Sequence, residues 1–291
     1  MTEPTQHAPL QVMMISVHGL IRGGNLELGR DADTGGQITY ALDLARALAE
    51  DEHVERVDLV TRLIEDPEVS ADYAEAEETL HPKAAILRLP FGPRRYLRKE
   101  SLWPHLDQMV DRCLGLLRQR GRLPDVIHTH YADAGYVGRQ LSLLLGIPQF
   151  HTGHSLGRPK RARLLAAGKK GDSIDRHYHF NVRIEAEEDI LAHASCIVTS
   201  TRQEIDEQYG LYRNREMQRF VVIPPAPTPR GFPRQAAAGF RTGWSRGSTA
   251  SSPTRPSRWS SPLPAPTCAR ISADWSPRSA PTRRCVKWRI W

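Results

Sequence analysis

The sequence predicts an α/β fold in which a doubly wound, Rossmann-like parallel sheet carries crossover helices. Two observations predict it. Apolar runs of strand length alternate with amphipathic stretches of helix length between residues 10 and 225, and this alternation is typical of βαβ units. Glycine, histidine and basic motifs follow several of these runs, which suits a fold that binds its ligands at the carboxyl ends of parallel strands.

The first part of this region alternates strand and helix. In chain order, the elements predicted up to residue 100 are a strand at 10–20, a helix at 36–50 and strands at 56–63 and 85–90. The helix is amphipathic, because Ile38, Leu42, Ala45 and Leu48 lie on one face. The segment 65–78 is acidic and weakly apolar, so it is predicted to be a surface excursion without catalytic residues.

The second part continues the alternation. The predicted elements are helices at 102–120, 134–145 and 183–193, and strands at 125–129, 148–152, 196–200 and 220–223. A further helix is predicted to start at 200–204, where the hydroxyl of Ser200 or Thr201 can cap free backbone N–H groups.

The net charge of +7 is unevenly distributed along the chain. Residues 226–291 hold twelve basic residues and one acidic residue, a net charge of +11, so the rest of the chain carries −4. A mildly acidic globular part does not favour nucleic-acid binding, and the basic residues of the tail do not form a block of about five or more. We therefore predict no nucleic-acid partner.

Composition also indicates where the protein acts. No apolar run approaches the roughly 18 residues that span a bilayer, and residues 1–11 do not show a leader pattern. We expect a cytoplasmic protein without a membrane partner. The four cysteines, Cys113, Cys196, Cys268 and Cys285, have no CxxC spacing, so neither a disulfide framework nor a thiolate zinc site is predicted.

A glycine pair leads into the first predicted helix. Gly35 and Gly36, followed by Gln37, come after the first strand. Glycines at a helix N-terminus let backbone N–H groups approach a sugar or phosphate, and the helix dipole favours an anion. The sequence is not GxGxxG, so an ordinary tight turn stays as the alternative.

Two histidine motifs follow neighbouring strands: HTHY at residues 128–131 and HTGHS at residues 151–155. An HxH spacing can bind zinc, but no carboxylate or cysteine is placed to complete a set, so no metal site is predicted. Neutral imidazoles that hydrogen-bond a polar ligand are favoured. Histidines satisfied beside the core are the alternative, in particular for His128 and His151.

Three cations lie near the same strand ends: Lys99, Lys160 and Arg183. Singly, each would be a solvated surface charge. If they converge on one crevice, they form a site for a phosphorylated small molecule through charge-assisted hydrogen bonds.

These motifs resemble the N-terminal domain of sucrose-phosphate synthases. The resemblance is carried by LELGRDADTGGQITYALDLARALAE, RKE at 98–100, IHTHYADAGYVGRQLSLLLGIPQFHTGHSLGRPK, RIEAEE at 183–188, STRQEIDEQY and VVIPP. Together they cover most of residues 10–225. Sucrose synthases share the DTGGQ theme, but their counterpart of HSLGRPK reads differently, so the resemblance favours the phosphate-using enzyme.

The resemblance implies a retaining GT-B hexosyltransferase of sucrose biosynthesis, with UDP-glucose as donor and fructose 6-phosphate as acceptor. Its products would be sucrose 6-phosphate and UDP. By motif, Gly35, Gly36 and Gln37 would line the junction of acceptor and donor, and His154 would face the transferred glucose. Fructose 6-phosphate would be held by Lys99, Tyr131, Ser155, Lys160 and Arg183. No side-chain nucleophile and no cofactor are implied, and assistance by magnesium is left open.

The resemblance stops after Pro225. Residues 226–291 contain ten Pro, ten Ser and five of the six Trp but no Tyr or Asn, and we expect an irregular, disordered tail read out of frame. Residues 1–9 are also expected to be disordered, which leaves 10–225 as the acceptor-side domain. On this view the donor domain is missing and the chain is inactive.

Two alternatives are kept for the function. One is a sucrose synthase or another hexose-phosphate glycosyltransferase, and the other is a non-catalytic sugar-phosphate-binding fragment. The choice between UDP and ADP donors and the oligomeric state are left open.

Overall fold

One mixed sheet organises the part of the chain that the computed structural model describes, residues 8–216 and 219–224. The strands are β1 Leu10–Ile15, β2 Val54–Arg62, β3 Glu77–His81, β4 Ala84–Leu89, β5 Val126–His130, β6 Gln149–Thr152, β7 Cys196–Thr199 and β8 Phe220–Val222. Their order in the sheet is β3-β4-β2-β1-β5-β6-β7-β8. Only the β3–β4 pair is antiparallel within the described residues. The predicted doubly wound α/β fold is confirmed.

Six α-helices accompany the strands in the described residues. They are α1 Gly36–Glu50, α2 Leu106–Arg120, α3 Tyr131–Leu145, α4 Gly157–Ala166, α5 Gly171–Tyr178 and α6 Phe180–His193. The predicted bounds of α1 are confirmed, whereas α2 starts four residues later because two short 3₁₀ turns precede it. The cap that was predicted near residue 200 exists: the Thr201 hydroxyl accepts a hydrogen bond from the Glu204 N–H over 3.1 Å. That segment continues as a short π-helix.

The alternation of side chains on β1 shows why both faces of the sheet are covered. Val12 and Met14 pack in one apolar cluster with Leu42 of α1. Met13 and Ile15 point to the other face, into a cluster formed by residues of α2 and α3. Because successive side chains of a strand point to opposite faces, a strand that is apolar at every position must be buried on both sides. The sheet therefore lies between two helical layers.

The acidic segment at 65–78 lies at the surface, but it is anchored. Tyr73 is 1% exposed and packs with Leu20 and Ile64, and its hydroxyl donates to the Glu27 carboxylate over 2.9 Å. The segment then leads into β3, a strand that the sequence did not predict. It therefore covers the loop that follows β1.

Some predictions fall beyond the described residues. The boundary at residue 225, the tail at 226–291 and most of the N-terminal segment 1–9 are among them. Among the described residues, no helix is long and apolar enough to cross a bilayer.

Candidate functional site

The strand order changes direction beside β1. The chain runs from β1 to β2 and β4 on one side, and later from β5 to β8 on the other. Doubly wound proteins bind ligands at such a switch point, beyond the carboxyl ends of the strands. The glycine loop before α1 and both histidine motifs lie there, because each follows β1, β5 or β6.

Two predicted site residues hold an unusual backbone conformation. Tyr131 has φ 77° and His154 has φ 57°. Such values cost a non-glycine residue on the order of 1–3 kcal/mol and cluster at functional sites. The turn at His154 is tight, since the Ser155 N–H donates to the Gly153 carbonyl over 2.6 Å. The fold therefore holds these two loops in shape against local preference.

The three predicted cations converge. Lys99 contacts the Asp33 carboxylate through its ammonium group, and its backbone N–H donates to the same carboxylate over 2.9 Å. The Lys160 Nζ atom lies 4.2 Å from the centroid of the Tyr178 ring. Burial, followed by the charges of Lys99 and Arg183, lowers the pKa of Lys160. Lys99 and Lys160 line the same cavity. Arg183 is not among the residues that line this cavity, but its charge acts on Lys160.

Two cavities lie beside α4. The smaller one, about 130 Å³, is lined by Lys99, Lys160 and Tyr178 among others. The larger one, about 550 Å³, lies between α4 and α6, and its Arg158 already pairs with the Glu188 carboxylate over 2.6 Å. The smaller cavity thus holds a lysine ammonium group without a hydrogen-bond partner in the described part of the chain, whereas Arg158 of the larger cavity is already paired.

Arg183 is fixed by several contacts. Its Cζ atom lies 4.6 Å from the centroid of the Tyr131 ring, and Nη2 donates to the Ser155 carbonyl over 2.7 Å. Its Nε atom donates to Glu187, which also accepts hydrogen bonds from the Gly157 N–H. Nη1 has no hydrogen-bond partner within the described residues. Not all N–H groups of the guanidinium are therefore used by the recorded contacts.

Glu187, the partner of Arg183, is a buried carboxylate. Burial raises the pKa of the Glu187 carboxyl, while Arg183 and the Tyr212 hydroxyl oppose this effect. All of its recorded partners donate hydrogen bonds: Arg183, the Gly157 N–H and the Tyr212 hydroxyl. A carboxylate accepts from all of them at once, so we treat Glu187 as ionised.

The histidines divide into two kinds. His128 Nε2 and His151 Nδ1 each lie 2.9 Å from a threonine hydroxyl, so these two are satisfied core histidines, the alternative that the sequence left open. His130 and His154 instead contact each other, with Nδ1 of the first 3.0 Å from Nε2 of the second. Burial lowers the pKa of His154 to about 3. Its ring is therefore neutral, as predicted.

The glycine loop is held open. The Asp31 carboxylate accepts hydrogen bonds from two backbone N–H groups of the loop, each over 2.8 Å. Among the described residues, apart from the sequence neighbours and the backbone of α1, no atom lies within 4 Å of a Cβ built at Gly35 or Gly36, so packing does not require glycine there. The Gln37 amide makes two long hydrogen bonds, of 3.3 Å to Ser16 and 3.4 Å to the His130 carbonyl. The loop thus leaves room for a ligand near the α1 N-terminus.

Sequence reasoning missed one buried pair in this region. His18 Nδ1 lies 2.7 Å from Asp133 Oδ2, with side-chain exposures of 5% and 1%. The two residues are 115 positions apart, but each comes shortly after a central strand, β1 or β5. That shared position was the signal that could have indicated the pair.

Comparisons with known proteins identify the family of this chain. The family model described as the sucrose synthase first GT-B domain matches residues 7–222. Sucrose-phosphate synthase 4 of Arabidopsis thaliana is 46% identical over 259 residues, covering 74% of this chain and 25% of that protein. The sucrose-phosphate synthase of Zea mays is 43% identical over 271 residues, covering 77% and 25% respectively. The chain thus spans about a quarter of the length of these relatives.

Solved structures point the same way. The sucrose-phosphate synthase of Thermosynechococcus elongatus superposes with a TM-score of 0.60 at 26% identity, covering 74% of this chain and 48% of that one. The predicted resemblance is confirmed, and the names of these relatives agree with the choice of the phosphate-using enzyme. The chain belongs to the family of the sucrose synthase first GT-B domain, as a relative of sucrose-phosphate synthases.

Proposed function

We propose that this chain provides the acceptor side of a sucrose-phosphate synthase reaction. In that reaction glucose passes from UDP-glucose to fructose 6-phosphate, giving sucrose 6-phosphate and UDP. The observation that carries the proposal is the cavity lined by Lys99, Lys160 and Tyr178, with Arg183 close enough for its charge to act on Lys160. The names of the relatives support the same reaction.

The three cations differ in what they offer a phosphate group. Lys99 is paired with Asp33, and Arg183 with Glu187. The Lys160 ammonium group has an aromatic ring beside it and no hydrogen-bond partner within residues 8–216 and 219–224. Lys160 is therefore proposed to carry most of the phosphate affinity, and Arg183 to add a hydrogen bond through Nη1.

The remaining predicted residues would position the sugars. Tyr131 and Ser155 would contact the acceptor, and Gly35, Gly36 and Gln37 would face the junction with the donor. The neutral His154 ring would hydrogen-bond a hydroxyl of the transferred glucose. These residues would act by holding two substrates in a reactive geometry, which can lower a barrier without a side-chain nucleophile. The proposal includes no cofactor and no metal, and it places the protein in the cytoplasm; these parts rest on the sequence alone.

Isothermal titration of the full 291-residue chain tests the phosphate site. We expect fructose 6-phosphate to bind, and Lys160→Ala to weaken it about tenfold or more, since a hydrogen bond to a charged group contributes roughly 1.5–3 kcal/mol. Binding of free fructose should be spared. Arg163→Ala, at an exposed position of the same helix, is the matched control and should leave the affinity for both ligands unchanged.

Two results would contradict the proposal. One is the absence of fructose 6-phosphate binding by a chain whose circular dichroism shows a folded protein. The other is that Lys160→Ala loses affinity for fructose and fructose 6-phosphate equally. That result would favour an acceptor without phosphate, as in a sucrose synthase.

A further inference from the structure

The buried His18–Asp133 pair lies beside Tyr131 but has no role in the proposal above. His18 follows β1, and Asp133 lies in the first turn of α3. The residue after His18 is held tightly: Gly19 has φ +86°, and a Cβ there would lie 2.5 Å from the Asp33 carbonyl oxygen. The backbone that carries His18 is therefore fixed against the glycine loop.

Asp133 determines which nitrogen of His18 carries the proton. Its Oδ2 atom lies 2.7 Å from His18 Nδ1, and its Oδ1 atom accepts the Ala134 N–H over 2.6 Å. A carboxylate can only accept hydrogen bonds, so Nδ1 holds a proton and donates it. In the neutral ring, Nε2 then presents a lone pair. Asp133 thus fixes both the orientation and the tautomer of the imidazole.

The free side of His18 lies among the predicted ligand-binding residues. Its ring meets Tyr131 edge-on, with 4.5 Å between centroids, and the Tyr131 ring in turn contacts Arg183. Within the described residues, His18 Nε2 has no hydrogen-bond partner. In the neutral ring its lone pair is thus available beside Tyr131, on the side of the predicted ligand-binding residues.

We propose that His18 Nε2 accepts a hydrogen bond from a hydroxyl group of the acceptor's sugar ring, and that Asp133 is the positioning residue that sets its tautomer. The inference rests on the proposed function, because it places a sugar phosphate in this crevice. The cations bind the phosphate end of the acceptor, and His18 recognises its carbohydrate end.

The key variant is His18→Asn in the full chain. An asparagine amide nitrogen can replace Nδ1 as the donor to Asp133, whereas nothing replaces Nε2. We expect the variant to bind fructose 6-phosphate about tenfold more weakly than wild type and to bind inorganic phosphate equally well. The exposed pair of His53 and Asp51, with Nδ1 and Oδ1 3.0 Å apart, supplies the control: His53→Asn should change neither affinity.

A second variant, Asp133→Asn, tests the positioning role separately. Asparagine can still accept the Ala134 N–H, but its amide now donates to His18 Nδ1, which moves the ring proton to Nε2. Nitrogen-15 NMR should show His18 protonated at Nδ1 in wild type and at Nε2 in the variant. Affinity for fructose 6-phosphate should fall several-fold, again without loss of phosphate binding.

The outcomes separate the two proposals. The role of His18 is overturned if His18→Asn binds fructose 6-phosphate as tightly as wild type does. It is also overturned if the variant loses affinity for inorganic phosphate and for fructose 6-phosphate equally. An unchanged tautomer in Asp133→Asn overturns the role of Asp133. Either result leaves the phosphate site intact as long as Lys160→Ala still weakens fructose 6-phosphate. A folded wild-type chain that binds neither ligand contradicts both proposals.

Discussion

Arg183 donates a hydrogen bond from Nε to the Glu187 carboxylate over 2.9 Å, and both side chains are 3% exposed. Glu187 also accepts the backbone N–H of Gly157, the first residue of α4. The same helix carries Lys160. One buried carboxylate therefore fixes two of the three cations of the candidate phosphate site, one directly and one through its helix.

Glu187→Gln should destabilise the protein by roughly 3 kcal/mol, because it leaves a buried guanidinium without its counter-charge. Urea unfolding of the full chain measures the change. Glu185→Gln, at an exposed position on the same helix, should stay within about 0.5 kcal/mol of wild type. Equal effects of the two substitutions would show that the buried pair contributes nothing specific.

The left-handed backbone at His154 predicts that a glycine variant is more stable than an alanine variant there, the reverse of the usual order inside a helix. His154→Gly should unfold with a free energy about 1 kcal/mol larger than that of His154→Ala, because glycine adopts positive φ without a Cβ penalty. At Glu185, inside α6, alanine should be the more stable of the pair by about 0.5–1 kcal/mol. If alanine is the more stable residue at both positions, residue 154 does not hold φ 57° in solution.

Removing the carboxylate that holds Lys99 should strengthen anion binding. Asp33→Asn keeps an oxygen that can accept the Lys99 N–H but removes the charge that competes with phosphate. We expect affinity for fructose 6-phosphate to rise about three- to tenfold in calorimetry at low salt, and the gain to shrink as salt is added. Asp43→Asn, on the exposed surface of α1, is the control. Weaker binding by Asp33→Asn would instead mean that Asp33 orients Lys99 for the ligand.

Buried neutral histidines should make the fold sensitive to acid. Burial lowers the pKa of His128 to about 4 and that of His154 to about 3, from an ordinary 6.5. Below pH 6.5 the unfolded chain therefore binds protons that the folded chain does not. The stability contributed by these rings is fully present above pH 6.5 and is lost as the pH falls toward 4, by up to about 1.4 kcal/mol per histidine and pH unit.

Urea unfolding across that pH window measures the loss. His128→Gln cannot take up a proton and can still reach the Thr152 hydroxyl, so it should flatten the pH dependence. His53→Gln, at an exposed position, should leave it unchanged. Identical pH profiles for all three proteins would rule out His128 as a source of acid sensitivity.

The sheet could be predicted from the sequence because short apolar runs of strand length alternate with amphipathic stretches of helix length, whereas three elements could not. Helix α4 buries only Gly157 and carries a proline, and α5 buries only Ile174, so neither shows an apolar face. Strand β3 has no fully buried residue, and its register comes from pairing with β4. Where tertiary contacts rather than apolar patterning stabilise an element, a sequence pattern does not report it.

The same limit applies to the site. The proximity of Lys99 and Lys160 could be expected, because parallel strands bring their carboxyl ends to one edge and each lysine lies in a segment that follows a strand at that edge. The His18–Asp133 pair was missed, because its signal in the sequence is weak: each residue follows a central strand, but a lone histidine after a strand looks like any loop residue. Glu187 was visible only as one of several acidic residues in RIEAEE, and its burial decides its role.

The left-handed turns at Tyr131 and His154 also bear on how a ligand would bind. The fold holds both residues in left-handed conformations that cost a non-glycine residue free energy, so packing around them, and not local preference, fixes the shape of the two segments. Under the proposed function, a sugar phosphate would lose little affinity to the ordering of these segments. The site would then act as a rigid template, from which closely related sugars that do not match its shape would be released quickly.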